Sequence, residues 1–104
     1  MQIIIDLDRT ICTEERQFSR ALAAPLQGAV ESVNALFEEG HTIILYSART
    51  WAEWEVTNHW LRENGLKFHQ LFLGKPTGDV WIDDRAIRHV DWNQTLEKLK
   101  ELIK

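Results

Sequence analysis

Apolar positions along this chain follow two rhythms. Three consecutive isoleucines, Ile3–Ile5, with Leu7 beyond them, make Gln2–Leu7 a short buried strand. Arg9–Pro25 has no clean period and reads as a loop with a small turn of its own. From Gln27 to Glu39 the rhythm becomes helical: Ala29, Val30, Val33, Leu36 and Phe37 share one face, and Gly40 supplies a C-terminal cap. "TIILY", Thr42–Tyr46, is a second continuous apolar strand. Thr50 with Glu53 three residues on forms a capping box, so a helix starts near Trp51 and ends at Gly65. Gln70–Leu73 predicts a third strand and Asp79–Ile82, within "GDVWIDD", a fourth. The last helix spans roughly Asn93 to Ile103, with Leu96, Leu99 and Ile103 on one side and Trp92 just before it.

Strand, helix, strand, helix, strand, strand, helix is an α/β order. Uninterrupted apolar strands predict a mostly parallel central sheet covered on both faces, a three-layer sandwich. Ligands of such sheets bind beyond the carboxyl ends of the strands. Those ends carry the polar chemistry of this chain. The first ends in Asp6-Leu7-Asp8-Arg9-Thr10, the second in Ser47-Ala48-Arg49-Thr50, and the fourth in Asp83-Asp84, with Gly74-Lys75-Pro76 just before it. Carboxylates gathered at one edge repel and need a positive partner. Mg²⁺ suits a site of a few carboxylates plus a phosphate, with Asp6, Asp8, Asp83 and Asp84 as the candidate donors.

With 104 residues the chain is expected to be one domain, residues 1–104. Its 44% hydrophobic and 27% charged residues are ordinary for a soluble globular protein. No apolar run reaches the length of a membrane span, and the N-terminus shows no signal-peptide pattern. A single cysteine, Cys12, excludes an internal disulfide and fits a reducing cytoplasm. A net charge of −4 argues against nucleic acid as a partner but not against a small phosphorylated ligand held with a cation.

The order and spacing of these groups resemble the haloacid dehalogenase-like (HAD) superfamily over nearly the whole chain. Asp6-Leu7-Asp8-Arg9-Thr10 is similar to its DxDxT motif, Ser47 to its second motif, Lys75 to its third and Asp83-Asp84 to its acidic fourth. The resemblance implies a Rossmann-like core and a Mg²⁺-dependent phosphomonoesterase. Asp6 would be the nucleophile that becomes aspartyl-phosphate, and Asp8 the general acid and base. Ser47, Ala48 and Lys75 would hold the phosphoryl group, and Asp6, Asp8, Asp83 and Asp84 would bind the metal. "LGKPTGDVWIDDRAI" and "IIIDLDRTIC" look most like small bacterial phosphatase-like proteins of capsule or surface-polysaccharide biosynthesis, which suggests a sugar phosphate as substrate. Arg9 departs from the family, which usually has Gly there, and is expected to reach toward substrate, with Arg49 as a further anion-binding candidate. The same departure motivates an alternative: a catalytically degenerate HAD-like domain that binds metal or a partner. A receiver-type switch uses similar groups, but its acceptor Asp ends a middle strand, where this chain has Ser47.

The gaps from Thr10 to Ser47 and from Ser47 to Lys75 are too short for a cap domain, so the site is expected to be open. Homo-oligomerisation would close it. Trp51 and Trp54 read as packing or subunit-contact residues, Cys12 as a small buried residue, and the four histidines show no metal-ligand spacing. The last helix reads as a packing helix rather than a membrane anchor.

Overall fold

The computed structural model of the chain describes residues 1–103. Strand β1 (Gln2–Ile5) leads through a loop and a 3₁₀ turn (Gln17–Leu22) to helix α1 (Ala29–Glu38). Strand β2 (Thr42–Tyr46) follows, then a 3₁₀ turn (Trp51–Glu53) that runs into α2 (Trp54–Glu63). Strand β3 (Gln70–Phe72) and helix α3 (Trp92–Leu102) complete the chain. The strands form an open parallel sheet in the order β1-β2-β3, a Rossmann-like α/β layout. Ile3 pairs with Ile43, Ile5 with Leu45, and Leu45 with Leu71.

Register decides what is buried. Ile5, Ile43, Leu45 and Leu71 point to one face and are covered, with Ile43 and Leu45 fully enclosed. Val33 and Leu36 of α1, Trp60 and Leu61 of α2, and Trp92 and Leu99 of α3 share that core. Local chemistry sets the ends of the helices. The Thr50–Glu53 capping box forms, with the Thr50 N–H donating to Glu53 Oε2 at 2.7 Å. Asp91 caps α3 by accepting the Gln94 N–H at 2.9 Å.

Two expectations fail here. The second sheet face is open rather than covered: Ile4 is 59% and Phe72 44% exposed. A shallow groove of about 350 Å³ runs along it, lined by Ile4, Ile44, Tyr46, Phe72 and Leu73. The reason is helix supply. α1 and α2 serve as the crossovers on one face, and α3 joins them there by packing against α1, so among the described residues no helix remains for the other. The predicted fourth strand is also absent. Residues 79–82 form no ladder, and Val80 and Ile82 are 74% and 95% exposed.

The loop after β1 is built, not slack. Cys12 bridges both Asp8 and Pro25, and Thr13 N–H donates to the Ala24 carbonyl at 2.9 Å. Two buried indoles pin it from the helices. Trp60 Nε1 donates to the Ala23 carbonyl and Trp92 Nε1 to the Thr10 carbonyl, both at 2.8 Å. Trp60→Phe keeps most of the ring but orphans the Ala23 carbonyl. We expect a loss of about 1–2 kcal/mol in urea unfolding, with hydrogen exchange accelerated selectively in residues 13–24.

Candidate functional site

Because the strands are parallel, their carboxyl ends share one edge of the sheet. Asp6 leaves the end of β1 with its side chain 40% exposed, and Lys75 Nζ lies 3.9 Å from its Oδ1. Burial raises the Asp6 carboxyl above its ordinary value, and the neighbouring charges of Asp8 and Glu14 add to this. The Lys75 ammonium and the Leu7 N–H work against the rise without cancelling it.

Lys75 is seated by the backbone beside it. Its N–H donates to the Ser47 carbonyl and the Gly74 N–H to the Arg49 carbonyl, at 2.9 and 2.8 Å. Gly74 has φ +77, and a Cβ there would lie 2.8 Å from the Trp51 indole nitrogen, so any other residue would be strained and would displace that indole. The ammonium sits 5.8 Å from the Tyr46 ring centre and 5.3 Å from that of Trp81, which favours the cation. Ser47 is buried and its Oγ accepts the Arg49 N–H at 3.1 Å. Ala48 is exposed beside it.

Asp8 is held in a network that sequence reasoning reached only in part. Arg49, 3% exposed, grips it with both arms: Nε to Oδ2 at 2.9 Å and Nη2 to Oδ1 at 2.7 Å. Arg49 Nη1 also donates to Thr57 Oγ1 at 3.0 Å. Burial opposes the guanidinium's charge, but the hydrogen bonds and charge of Asp8 outweigh it and hold Arg49 above its usual value. Arg49, an anion-binding candidate by sequence, is turned inward onto Asp8, because a buried charge needs a partner. Arg20 stands 3.8 Å from Asp8 Oδ1 and donates to Glu53 Oε1 at 2.8 Å. Burial works against the Glu53 carboxylate, and Arg20 with the Thr50 N–H more than offsets it, so its pKa is lowered. Cys12 Sγ lies 3.7 Å from Asp8 Oδ1. Burial first, then the charge of Asp8, pushes this thiol up to about 12, which disfavours the thiolate. Arg20 and Thr57 carried no signal in the sequence, and Glu53 was legible only as a cap.

Arg9 is exposed, makes no ion pair among the described residues, and has φ 68. Its N–H donates to the Cys12 carbonyl at 2.7 Å. This left-handed backbone explains why glycine suits the position.

Asp83 and Asp84 do not join Asp6 and Asp8. Asp83 Oδ1 accepts the Arg85 N–H at 2.7 Å, and the Asp84 side chain is 87% exposed. Among the described residues, no three His, Cys, Asp or Glu side chains are grouped to hold a metal ion. The four-carboxylate set expected for Mg²⁺ is therefore not assembled within one chain, because the strand that would carry its second half does not form.

No protein-family profile and no curated protein matches the chain. Solved structures do. A conserved protein from Bacteroides thetaiotaomicron is 31% identical, with a TM-score of 0.70 over 98% of this chain and 91% of that one. This chain belongs to the same family as that protein. A structural-genomics target from Vibrio cholerae matches at TM-score 0.71 over the full length of both chains, at 21% identity. A chain of the Pnkp1/Rnl/Hen1 complex matches at TM-score 0.63 and 21% identity, over 79% of this chain and 30% of that one. The last two establish likeness of fold alone. No helix among the described residues is long and apolar enough to cross a membrane.

Two predictions follow from these charges. Arg49→Met strands Asp8 and should cost about 3 kcal/mol. In a double-mutant cycle with Asp8→Leu the coupling should be roughly 2 kcal/mol. Asp6 gives a pH signature. Its folded pKa lies above the unfolded 3.8, so its contribution is most favourable below that value and is lost as pH rises through the folded pKa. Asp6→Asn should unfold at a higher temperature than the parent at pH 7, with the difference vanishing near pH 3.

Proposed function

We propose that the chain is a phosphomonoesterase of HAD-like type, working through an aspartyl-phosphate at Asp6 on a small phosphate ester such as a sugar phosphate. The observation that carries this reading is the half-exposed Asp6 carboxylate set beside the Lys75 ammonium where the strand ends meet. The likeness of fold to the Pnkp1/Rnl/Hen1 chain and the family shared with the Bacteroides protein are consistent with a HAD-like fold.

Asp6 is accessible enough to attack, with the Lys75 ammonium 3.9 Å from its Oδ1. Its oxygen forms a bond to phosphorus while the bond to the leaving oxygen breaks. Lys75 offsets the charge of the transferring phosphoryl oxygens. Asp8 gives a proton to the leaving oxygen, then takes one from the water that opens the aspartyl-phosphate. Proton donation in the first step requires one of the two Arg49 hydrogen bonds to open. Arg9, exposed and without an ion pair among the described residues, is the candidate to meet an anionic part of the substrate. A dependence on Mg²⁺ belongs to the proposal, but one chain supplies only Asp6 and Asp8 toward it, so no step is routed through the ion.

A second reading draws on the Arg49 clamp and the left-handed Arg9: a degenerate domain that binds metal or a partner without turnover. One assay separates the two. With Mg²⁺ and a panel of sugar phosphates, the wild type should release phosphate. Asp6→Asn should lose about 10³-fold or more in kcat, and Lys75→Met about 10²-fold. Release that survives Asp6→Asn unchanged sinks the aspartyl-phosphate route. No release from any ester, even after Arg9→Gly, favours the degenerate domain.

A further inference from the structure

The open sheet face and the candidate site are parts of one surface. Successive residues of a strand point to opposite faces. Ile5 and Leu7 are buried in the core, so Ile4 and Asp6 both turn to the open side. Lys75 agrees with this placement. Its Nζ lies 3.9 Å from Asp6 Oδ1 and 5.8 Å from the ring centre of Tyr46, and Tyr46 lines the groove. The same ring thus borders the phosphoryl-binding candidate and the apolar groove. Strand pairing sets the groove's floor, with Ile4 beside Ile44 and Tyr46 beside Phe72. Apart from Tyr46, its lining side chains are hydrocarbon: Ile4, Ile44, Phe72 and Leu73. At about 350 Å³ it has the volume of a small ligand site.

We infer that this groove holds the leaving group of the substrate, and that the leaving group is an apolar alcohol, a linear or branched hydrocarbon chain. The inference rests on the phosphatase reading for the chemistry at Asp6 and narrows its substrate class from sugars to apolar alcohols. A phosphoryl group between Asp6 and Lys75 fixes one end of the ester, and the chain attached to it meets the groove at Tyr46. The surface is divided as such an ester is: the Lys75 ammonium answers the charged end, and Ile4, Ile44 and Phe72 answer the tail. A sugar laid along the same path would press hydroxyls against those three side chains, where they lose water and gain no hydrogen bond. Length is bounded as well. The strand rise of about 3.3 Å per residue puts Ile4 about 7 Å back from Asp6, the reach of roughly six methylenes.

The test measures binding apart from turnover. Asp6→Asn is titrated by calorimetry with ethyl, butyl and hexyl phosphate and with glucose 6-phosphate. Affinity should rise about twofold per added methylene, against the roughly fourfold that complete burial gives, because the groove is open on one side. Glucose 6-phosphate should bind no better than ethyl phosphate. Ile4→Ser and Phe72→Ser, each added singly to Asp6→Asn, should weaken hexyl phosphate about fourfold and leave ethyl phosphate unchanged. Both side chains are largely exposed, so far-UV circular dichroism should not move. Affinity independent of chain length, glucose 6-phosphate binding as tightly as hexyl phosphate, or hexyl phosphate unaffected by both serine variants would each overturn the inference. So would a wild-type dimer in light scattering that Phe72→Ser dissociates, since a second copy would then cover the face. Turnover is the separate readout: with Mg²⁺, wild-type kcat/KM should climb along the same series. Chain-length-dependent binding without phosphate release supports the groove and sinks the phosphatase reading.

Discussion

The ion pair between Asp8 and Arg49 is the constraint on which this molecule turns. Arg49 follows β2 and is almost fully enclosed, and Asp8 follows β1. Neither charge is tolerable at that depth alone, so the loop after one strand must come to the loop after the other. Once they meet, other choices follow. Thr57 of α2 takes the remaining arm of Arg49, which fixes the rotation of that helix over the sheet. Arg20 fills the space on the other side of Asp8 and is itself held by Glu53, the residue that caps the turn leading into α2. A chain of alternating charges, Glu53–Arg20–Asp8–Arg49, thus welds the 3₁₀ turn of the first loop to the start of α2. The fold around the site is therefore set by electrostatics as much as by the apolar core.

Much of this fold was legible because the signals were local. β2 appeared at its predicted bounds, and the three helices fell within about a turn of theirs. Each was marked by a period, a cap or a glycine that acts within a few residues. Asp6, Asp8, Ser47 and Lys75 were legible for a related reason: they sit at the ends of strands that could be read, and parallel pairing brings strand ends together. Arg20 and Thr57 were not legible. Their roles arise from contacts across more than thirty and eight residues respectively, and neither lies in a pattern.

"VWI" shows where local reading stops. Its composition favours a strand, but a strand is a relation between two segments, and composition names only one of them. The same limit explains the open second face. Continuous isoleucines say that a strand tolerates burial on both sides, not that the chain has a helix to spare. Here the third helix packs on the first face, where Trp92 joins the core and donates to the Thr10 carbonyl.

Asp6 and Asp8, two residues apart, have been given opposite environments. Asp8 is gripped at both oxygens by one guanidinium, so its position is fixed. Asp6 is left with a single ammonium at 3.9 Å and no enclosing network, and burial makes its charge unfavourable. A chain selected for stability alone would place an amide or an apolar residue there. A half-buried, under-neutralised carboxylate is costly to the fold, and it is also the form of the group that gains most when a phosphorus atom or a cation approaches. On the proposed phosphatase reading the asymmetry matches the two roles: Asp8, gripped by Arg49, would move protons, and Asp6 would attack phosphorus.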